Sequence, residues 1–320
     1  RGLFKTVINF INALNARNSS GIAVFAVDIP SGLNADTGQP CGTCIRAQGT
    51  ATFGLAKIGH FTYPGAEYTG SLEIIDIGIP GAVVQAVGPK QYLLTSTQIR
   101  NYLQPRPADT HKGQTGHLLV IAGSRGKTGA AAMTAMSAMR AGAGLVTLGV
   151  PKTLNPILES KLTEAMTEPL PETSDGSLSL KAEKKIRALM EGKTALALGP
   201  GLSTNPETTS LVRRIVAGSR LPIVIDADGL NALSQDPTSI SSCSQRAILT
   251  PHPGEMARLT GIKTSAIQHD RIGTSIQFVK KYGCHLVLKG ARTLIAQPDG
   301  KLYVNPTGNP ALSSGCLLYT

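Results

Sequence analysis

From His117 onward, short apolar runs recur between segments of helical period, and this alternation restricts the fold more than any other feature of the chain. The runs are "HLLVIA", "GLVTLGV", "TALALG", "LPIVIDA", "AILTP" and "HLVLKG". They are too short for helices, rich in Leu, Ile and Val, and almost unbroken by polar residues. A strand that is apolar on both sides needs both sides covered, which the helices of βαβ crossovers provide. The expected class is therefore α/β, a three-layer α/β/α arrangement around a mostly parallel sheet. In such sheets ligands gather beyond the carboxyl ends of the strands, so the residues following each run carry the functional information.

"HLLVIA" is followed by Gly123, Ser124, Arg125, Gly126, Lys127 and Thr128, then by an alanine-rich helix. The stretch resembles a P-loop, but the pattern G-x-x-x-x-G-K-[ST] puts its first glycine where this chain has Ile121. The loop is too short to wrap a phosphate in that way. Its small residues permit either a ligand at the helix N-terminus, where free amides carry about half a positive charge, or tight packing of helix on sheet. "TALALG" runs into Pro200, Gly201, Leu202, Ser203 and Thr204. "LPIVIDA" closes with Asp226 and Ala227, with Asp228 and Asn231 close behind. A carboxylate at the end of a buried strand must be solvated or hydrogen-bonded, and Asp228 also suits the start of a helix. In "PHPGEMARL" two prolines hold the backbone of His252 and Glu255 falls in the first helical turn. A histidine fixed at a strand end reads as a ligand contact. "HLVLKG" ends on Lys289 and Gly290, a lysine and glycine at a strand end that suit a phosphate grip, with Ala291, Arg292 and Thr293 next, and "LIAQPDGKLYVN" reads as a hairpin.

The upstream part divides at two points. Residues 1–85 hold an amphipathic helix, "RGLFKTVINFINAL", and apolar strands within "IAVFAVDIP", "ATFG" and "LEIIDIGIP". Residues 86–111, bearing prolines and little apolar period, read as a linker or as the entry to the unit 112–320. The net charge of +11 is scattered, and "KAEKKIRALMEGK" interleaves its lysines with glutamates in the manner of a solvated helix face. With aromatics at 4%, no basic-aromatic interleaving exists for stacking bases, so a nucleic-acid partner is not expected. A mild positive field suits an anionic small molecule instead. No apolar run nears the ~18–20 residues of a membrane span. Cysteines 41, 44, 243, 284 and 316 form no disulfide framework, so reduced thiols in a cytoplasmic protein are expected. Cys41 and Cys44 make a lone CxxC without the second pair of a zinc site, and no metal is expected there.

Six pieces in order, "GSRGKTGAAAMTAMSAMRAGAGLVTLGV", "LALGPGLS", "VIDADGLNAL", "LTPHPGEMARLTG", "LVLKGARTLIA" and "NPTGNPAL", cover about residues 112 to 312. Together they resemble the ADP/ATP-dependent NAD(P)H-hydrate dehydratases, a ribokinase-like family. "VDIPSGLNADTG" and "TFGLAKIGHFTYPG" look like the end of an NAD(P)H-hydrate epimerase domain, a fragment of a Rossmann-like unit. The resemblance implies that Ala131, Gly201 and His252 contact NADH hydrate or NADPH hydrate, and that Asp226, Asp228 and Asn231 line the space between two nucleotides. It implies that Lys289, Gly290, Ala291, Arg292 and Thr293 hold ADP, or ATP, with Mg2+. Asp28 and Lys57 would remain from the epimerase site, whose complete form would take K+. It also implies a homo-oligomer, a tetramer by family.

The reaction so implied dehydrates the damaged nicotinamide ring at the expense of a nucleotide phosphoryl group, with an aspartate base after a glycine-rich anion hole. This chain instead reads "ALSSGCLLYT" there, with no aspartate after Asp299. The resemblance therefore leads us to expect a chain truncated at its C-terminus that binds poorly and does not turn over. The epimerase's phosphate-binding motif is likewise expected upstream of residue 1, so epimerisation by this chain is not expected. Two other readings stay open at this stage: a ribokinase-like kinase acting on a sugar or vitamin hydroxymethyl group, and a non-catalytic nucleotide-binding remnant.

Overall fold

A computed structural model of the chain describes residues 2–16, 22–103 and 105–310. Three short strands, β1 (Phe25–Val27), β2 (Gly49–Phe53) and β3 (Ser71–Ile75), pair in parallel as a small sheet. The amphipathic helix Gly2–Ala16 docks beside it. Ile8 and Ile11 pack on Ala26, Ile45 and Ala47, while Asn12 and Asn15 donate to the carbonyls of Cys44 and Arg46 at 2.9 and 2.7 Å. An asparagine on each turn thus fixes the helix against a loop that would otherwise leave backbone carbonyls unpaired.

The second sheet has ten strands. In chain order they are β4 (Gln91–Leu93), β5 (His117–Ile121), β6 (Leu145–Pro151), β7 (Met166–Leu170), β8 (Ala195–Leu198), β9 (Ile223–Ile225), β10 (Ala247–Leu249), β11 (His285–Leu288), β12 (Leu294–Ala296) and β13 (Leu302–Val304). Their spatial order is β4-β13-β12-β11-β10-β9-β8-β5-β6-β7. Only the pairs that β12 makes are antiparallel, as the hairpin reading of "LIAQPDGKLYVN" requires. The chain moves outward through β5, β6 and β7, then returns to the other side of β5 as β8. That reversal is a topological switch point, where the loops after β5 and β8 diverge and leave a crevice.

Two findings go beyond the sequence expectation. The stretch 86–111 is more than a linker, because Gln91–Leu93 adds a parallel edge strand to β13. Its isolated "QYL" has no apolar period, and pairing with a strand more than two hundred residues away gives it its conformation. The large sheet is also not covered on both faces throughout. Successive residues of a strand face opposite sides. Leu119 and Ile121 of β5 enter one core cluster and Val120 the other. In β9 and β10, however, Ile223, Ile225, Ala247 and Leu249 are buried while Val224 and Ile248 are more than a third exposed. Over β8 to β11 the second face is open among the described residues, and its side chains form the floor of a cavity.

Candidate active site

The cavity has a volume of about 1090 Å³, at the upper end for a single small-molecule pocket. Ala197, Val224 and Val287 form its apolar floor. Its rim comes from the helix that follows β5, through Ala130 and Met133, and from the turns after β8, β9, β10 and β11, through Pro200 and Gly201, Asp226 and Ala227, His252 and Glu255, and Lys289, Gly290 and Thr293.

Backbone hydrogen bonds sew the turns together at the switch point. Gly123 N–H donates to Pro200 O at 2.9 Å, and Ser124 Oγ donates to Gly201 O at 2.7 Å. Gly199 cannot be replaced here: its φ is +127°, and a Cβ would lie 1.9 Å from Asp226 O. The expected pocket-wall residue Ala131 is fully buried in the core instead, and the adjacent Ala130 lines the cavity. A shift of one residue turns a side chain by about 100° around a helix, and the true start of Thr128–Arg140 fixes which alanine points out.

Asp226 and Asp228 go different ways. Asp226 Oδ1 accepts from Lys289 Nζ at 2.8 Å on the cavity wall. Asp228 turns aside to accept from Ser203 N–H at 2.8 Å and Lys127 Nζ at 2.9 Å. Asn231 donates to Asp228 at 3.1 Å and accepts from Arg258 Nε at 2.8 Å. Asp228 and Asn231, expected to line the space between ligands, therefore buttress the turns after β8 and β9 from behind. Between the two aspartates, Ala227 has φ +50° and ψ −119°, a conformation that a side-chain-bearing residue rarely adopts. Strain of this kind persists where the surroundings over-determine it, commonly at ligand sites.

His252 and Lys289 sit on one rim, linked by a buried carboxylate. Glu255 is 5% exposed. Its Oε2 accepts from His252 N–H at 2.9 Å and lies 3.8 Å from Lys289 Nζ, while Oε1 is 3.5 Å from His252 Nε2. Gly254 N–H donates to His252 Nδ1 at 3.0 Å, so the ring proton resides on Nε2. His252 thus caps the helix Pro253–Thr260, with Glu255 returning the bond to the cap. Gly290 and Thr293 line the cavity, whereas Ala291 and Arg292 present their carbonyls to Arg271 behind it.

In the small sheet, Asp28 (φ +65°) ends β1 and forms an ion pair with Lys57 Nζ. Lys57 Nζ also donates to Thr52 Oγ1 at 2.8 Å, and Thr52 Oγ1 donates to Asp28 Oδ1 at 3.0 Å. The Lys57 hydrogen bond holds the Asp28 carboxyl below the ordinary range. His60 Nδ1 accepts from Lys57 N–H at 3.2 Å, leaving Nε2–H for Asp28 O at 3.1 Å, and burial lowers its pKa. The sequence reading found the pair but missed Thr52 and His60, both inside "TFGLAKIGH" and both bonded to the pair they flank. Of the CxxC pair, Cys41 is exposed, whereas Cys44 is buried with its thiol pushed up to about 11. Cys316 and the segment "ALSSGCLLYT" lie outside the described residues. Among the described residues no helix is long and apolar enough to cross a membrane.

The profile of the NAD(P)H-hydrate dehydratase family matches residues 118–316, and that of the YjeF-related protein N-terminus matches residues 1–59. The chain is similar to the bifunctional NAD(P)H-hydrate repair enzyme Nnr of Moorella thermoacetica, 45% identical over 313 residues. That match covers 98% of this chain but 58% of the relative's length. Among solved structures, an ADP/ATP-dependent NAD(P)H-hydrate dehydratase from Bacillus subtilis, co-crystallized with ATP/Mg2+, aligns at TM-score 0.58 and 31% identity, covering 70% of this chain and 76% of that one. A ribokinase-like superfamily protein from Enterococcus faecalis aligns at TM-score 0.61 and 22% identity over 71% of this chain and 75% of that one, a likeness of fold.

Proposed function

The chain belongs to the NAD(P)H-hydrate dehydratase family, and from that premise we propose that its cavity binds an NAD(P)H hydrate beside ADP or ATP and dehydrates the nicotinamide ring. The observation that carries the proposal is one cavity of about 1090 Å³ bounded by the helix after β5 and the turns after β8, β9, β10 and β11, large enough for two ligands to meet. The nucleotide supplies the phosphoryl group that turns hydroxide, a poor leaving group, into phosphate, a good one. The ring nitrogen's lone pair can then expel phosphate, leaving an iminium ion, and loss of a proton from the neighbouring C5 to a base or water restores the dihydropyridine.

The chain's own residues bind, orient and exclude water. The small residues Ala130 and Gly201 let a ring approach the backbone at the switch point. Lys289, held by Asp226, places a cation at the end of β11, and Gly290 and Thr293 put backbone at the cavity surface. His252 offers Nε2–H on the same rim. These residues fit a polyphosphate. Mg2+ would be carried by the phosphates, whose hard oxygens suit it. Asp226 is a wall carboxylate beside the lysine that could reach such an ion. Asp28, Lys57, Thr52 and His60 would serve the epimerase half of a fused repair enzyme, where K+ would also belong.

Calorimetric titration of the full chain with ATP and with NADPH hydrate tests the shared cavity. Each ligand should bind, and saturation with one should not block the other. Failure of either, or mutual competition, overturns the reading. Adding both with Mg2+ and following the near-ultraviolet absorbance of the dihydronicotinamide then tests turnover, which must depend on the nucleotide; such turnover would overturn the sequence expectation that this chain binds poorly and is inactive.

A further inference from the structure

Arg271 opens the helix Arg271–Tyr282 and is a buried cation, 8% exposed. No carboxylate lies within ion-pair distance of it among the described residues. An unpaired charge in that position is costly unless dipoles replace its water. Here backbone carbonyls do so. Nη1 donates to Ala291 O at 2.7 Å and reaches Arg292 O at 3.4 Å; Nη2 donates to Leu288 O at 3.1 Å and Lys289 O at 3.3 Å. Nε has no partner. Burial lowers the guanidinium pKa only to about 10, so it stays charged at neutral pH.

The acceptors all belong to one turn, and this has a geometric consequence. In a trans peptide unit C=O and N–H point in opposite directions. Gathering the carbonyls of Leu288, Lys289, Ala291 and Arg292 on the guanidinium turns the amides of Lys289, Gly290, Arg292 and Thr293 away from it. Lys289 N–H donates to Pro251 O at 2.9 Å. The amides of Gly290, Arg292 and Thr293 have no acceptor among the described residues, and Gly290 and Thr293 line the cavity. The arrangement also imposes φ +135° on Gly290 and +57° on Arg292. Successive free amides on a concave turn form an anion-binding nest.

We propose that Arg271 is a positioning residue that never touches the ligand and that folds residues 288–293 into a nest of amides for the phosphate groups of the bound nucleotide. The proposal rests on the nucleotide reading above, and its test separates the two. In the full chain, the amide resonances of Gly290 and Thr293 are followed by NMR as ATP, pyrophosphate or adenosine is added. ATP and pyrophosphate should shift both amides. Arg271→Met should weaken ATP and pyrophosphate by about tenfold or more, the loss of one or two net hydrogen bonds, while leaving adenosine unchanged. A purely structural role would weaken adenosine and ATP alike, and that outcome overturns the proposal, as does ATP affinity within about twofold of the parent. Should Arg271→Met fail to fold, Arg271→Lys carries the test: it keeps the charge but reaches fewer carbonyls, so the same phosphate-selective loss should appear in smaller measure. If ATP binds and the two amides stay silent, the role of Arg271 falls and the nucleotide reading stands. If pyrophosphate shifts them but ATP does not bind, the nest stands and the nucleotide reading falls. If neither binds, both fall.

Discussion

Replacing Lys289 with methionine should test how the cavity wall is held together. The side chain is 7% exposed and lies 2.8 Å from Asp226 Oδ1 and 3.8 Å from Glu255 Oε2, whose side chains are 25% and 6% exposed. At an effective dielectric constant of about 20, a pair of unit charges at such distances attracts by roughly 4–6 kcal/mol before desolvation is subtracted. Removing one member of a buried pair strands the other, a loss of about 3–5 kcal/mol in comparable sites. Asp226 is partly wet and can recruit water, and Glu255 keeps the His252 N–H, so the lower part of that range applies. We expect Lys289→Met to destabilise the fold by about 3 kcal/mol. Asp226→Asn added to it should cost less than the sum of the two single changes, because the second substitution removes the charge that the first left unpaired. Urea unfolding of the parent, both single variants and the double variant gives the coupling energy directly. A Lys289→Met chain within about 0.5 kcal/mol of the parent, or strictly additive variants, would refute the claim that the lysine is held by these carboxylates.

Further outcomes follow from other parts of the chain. Asp28 has its pKa depressed first by the Lys57 hydrogen bond, so its contribution to stability is present above the unfolded value and is lost as pH falls through the lower folded value. NMR titration should place its midpoint below 3.8, and Lys57→Met should move that midpoint upward; an unchanged midpoint refutes the assignment. Burial raises the Cys243 thiol and pushes that of Cys284 to about 12. Maleimide at neutral pH should therefore label exposed Cys41 well before these two, read by peptide mass spectrometry. Ala227→Gly should hold or raise stability, because relieving about 1–3 kcal/mol of backbone strain outweighs the roughly 0.5–1 kcal/mol of glycine entropy. Ala227→Val should lower it, and thermal unfolding that ranks the two variants the other way contradicts the strained geometry.

What was legible in the sequence depended on whether a residue's own chemistry announced its backbone. Strands β5, β6, β8, β9, β10 and β11 could be placed because uninterrupted Leu, Ile and Val runs have few other uses in a charged-helix context. His252 could be placed because prolines on either side leave its backbone little choice. Gly201 and Gly290 marked turns because their φ values, +67° and +135°, suit a residue without Cβ. Ala227 was invisible for the converse reason: alanine advertises helix, and its positive φ is imposed by the loops around it. Arg271 was invisible too, since an arginine at the start of a helix reads as a solvated charge until the turn after β11 folds back over it. The same limit explains Asp226 and Asp228. Two aspartates two positions apart look interchangeable in "VIDADGL", yet the unusual backbone of Ala227 sends one to Lys289 on the cavity wall and the other to Ser203 and Lys127 behind it. The strained residue that no pattern could reveal is therefore the one that divides two identical carboxylates between the cavity wall and the turns behind it.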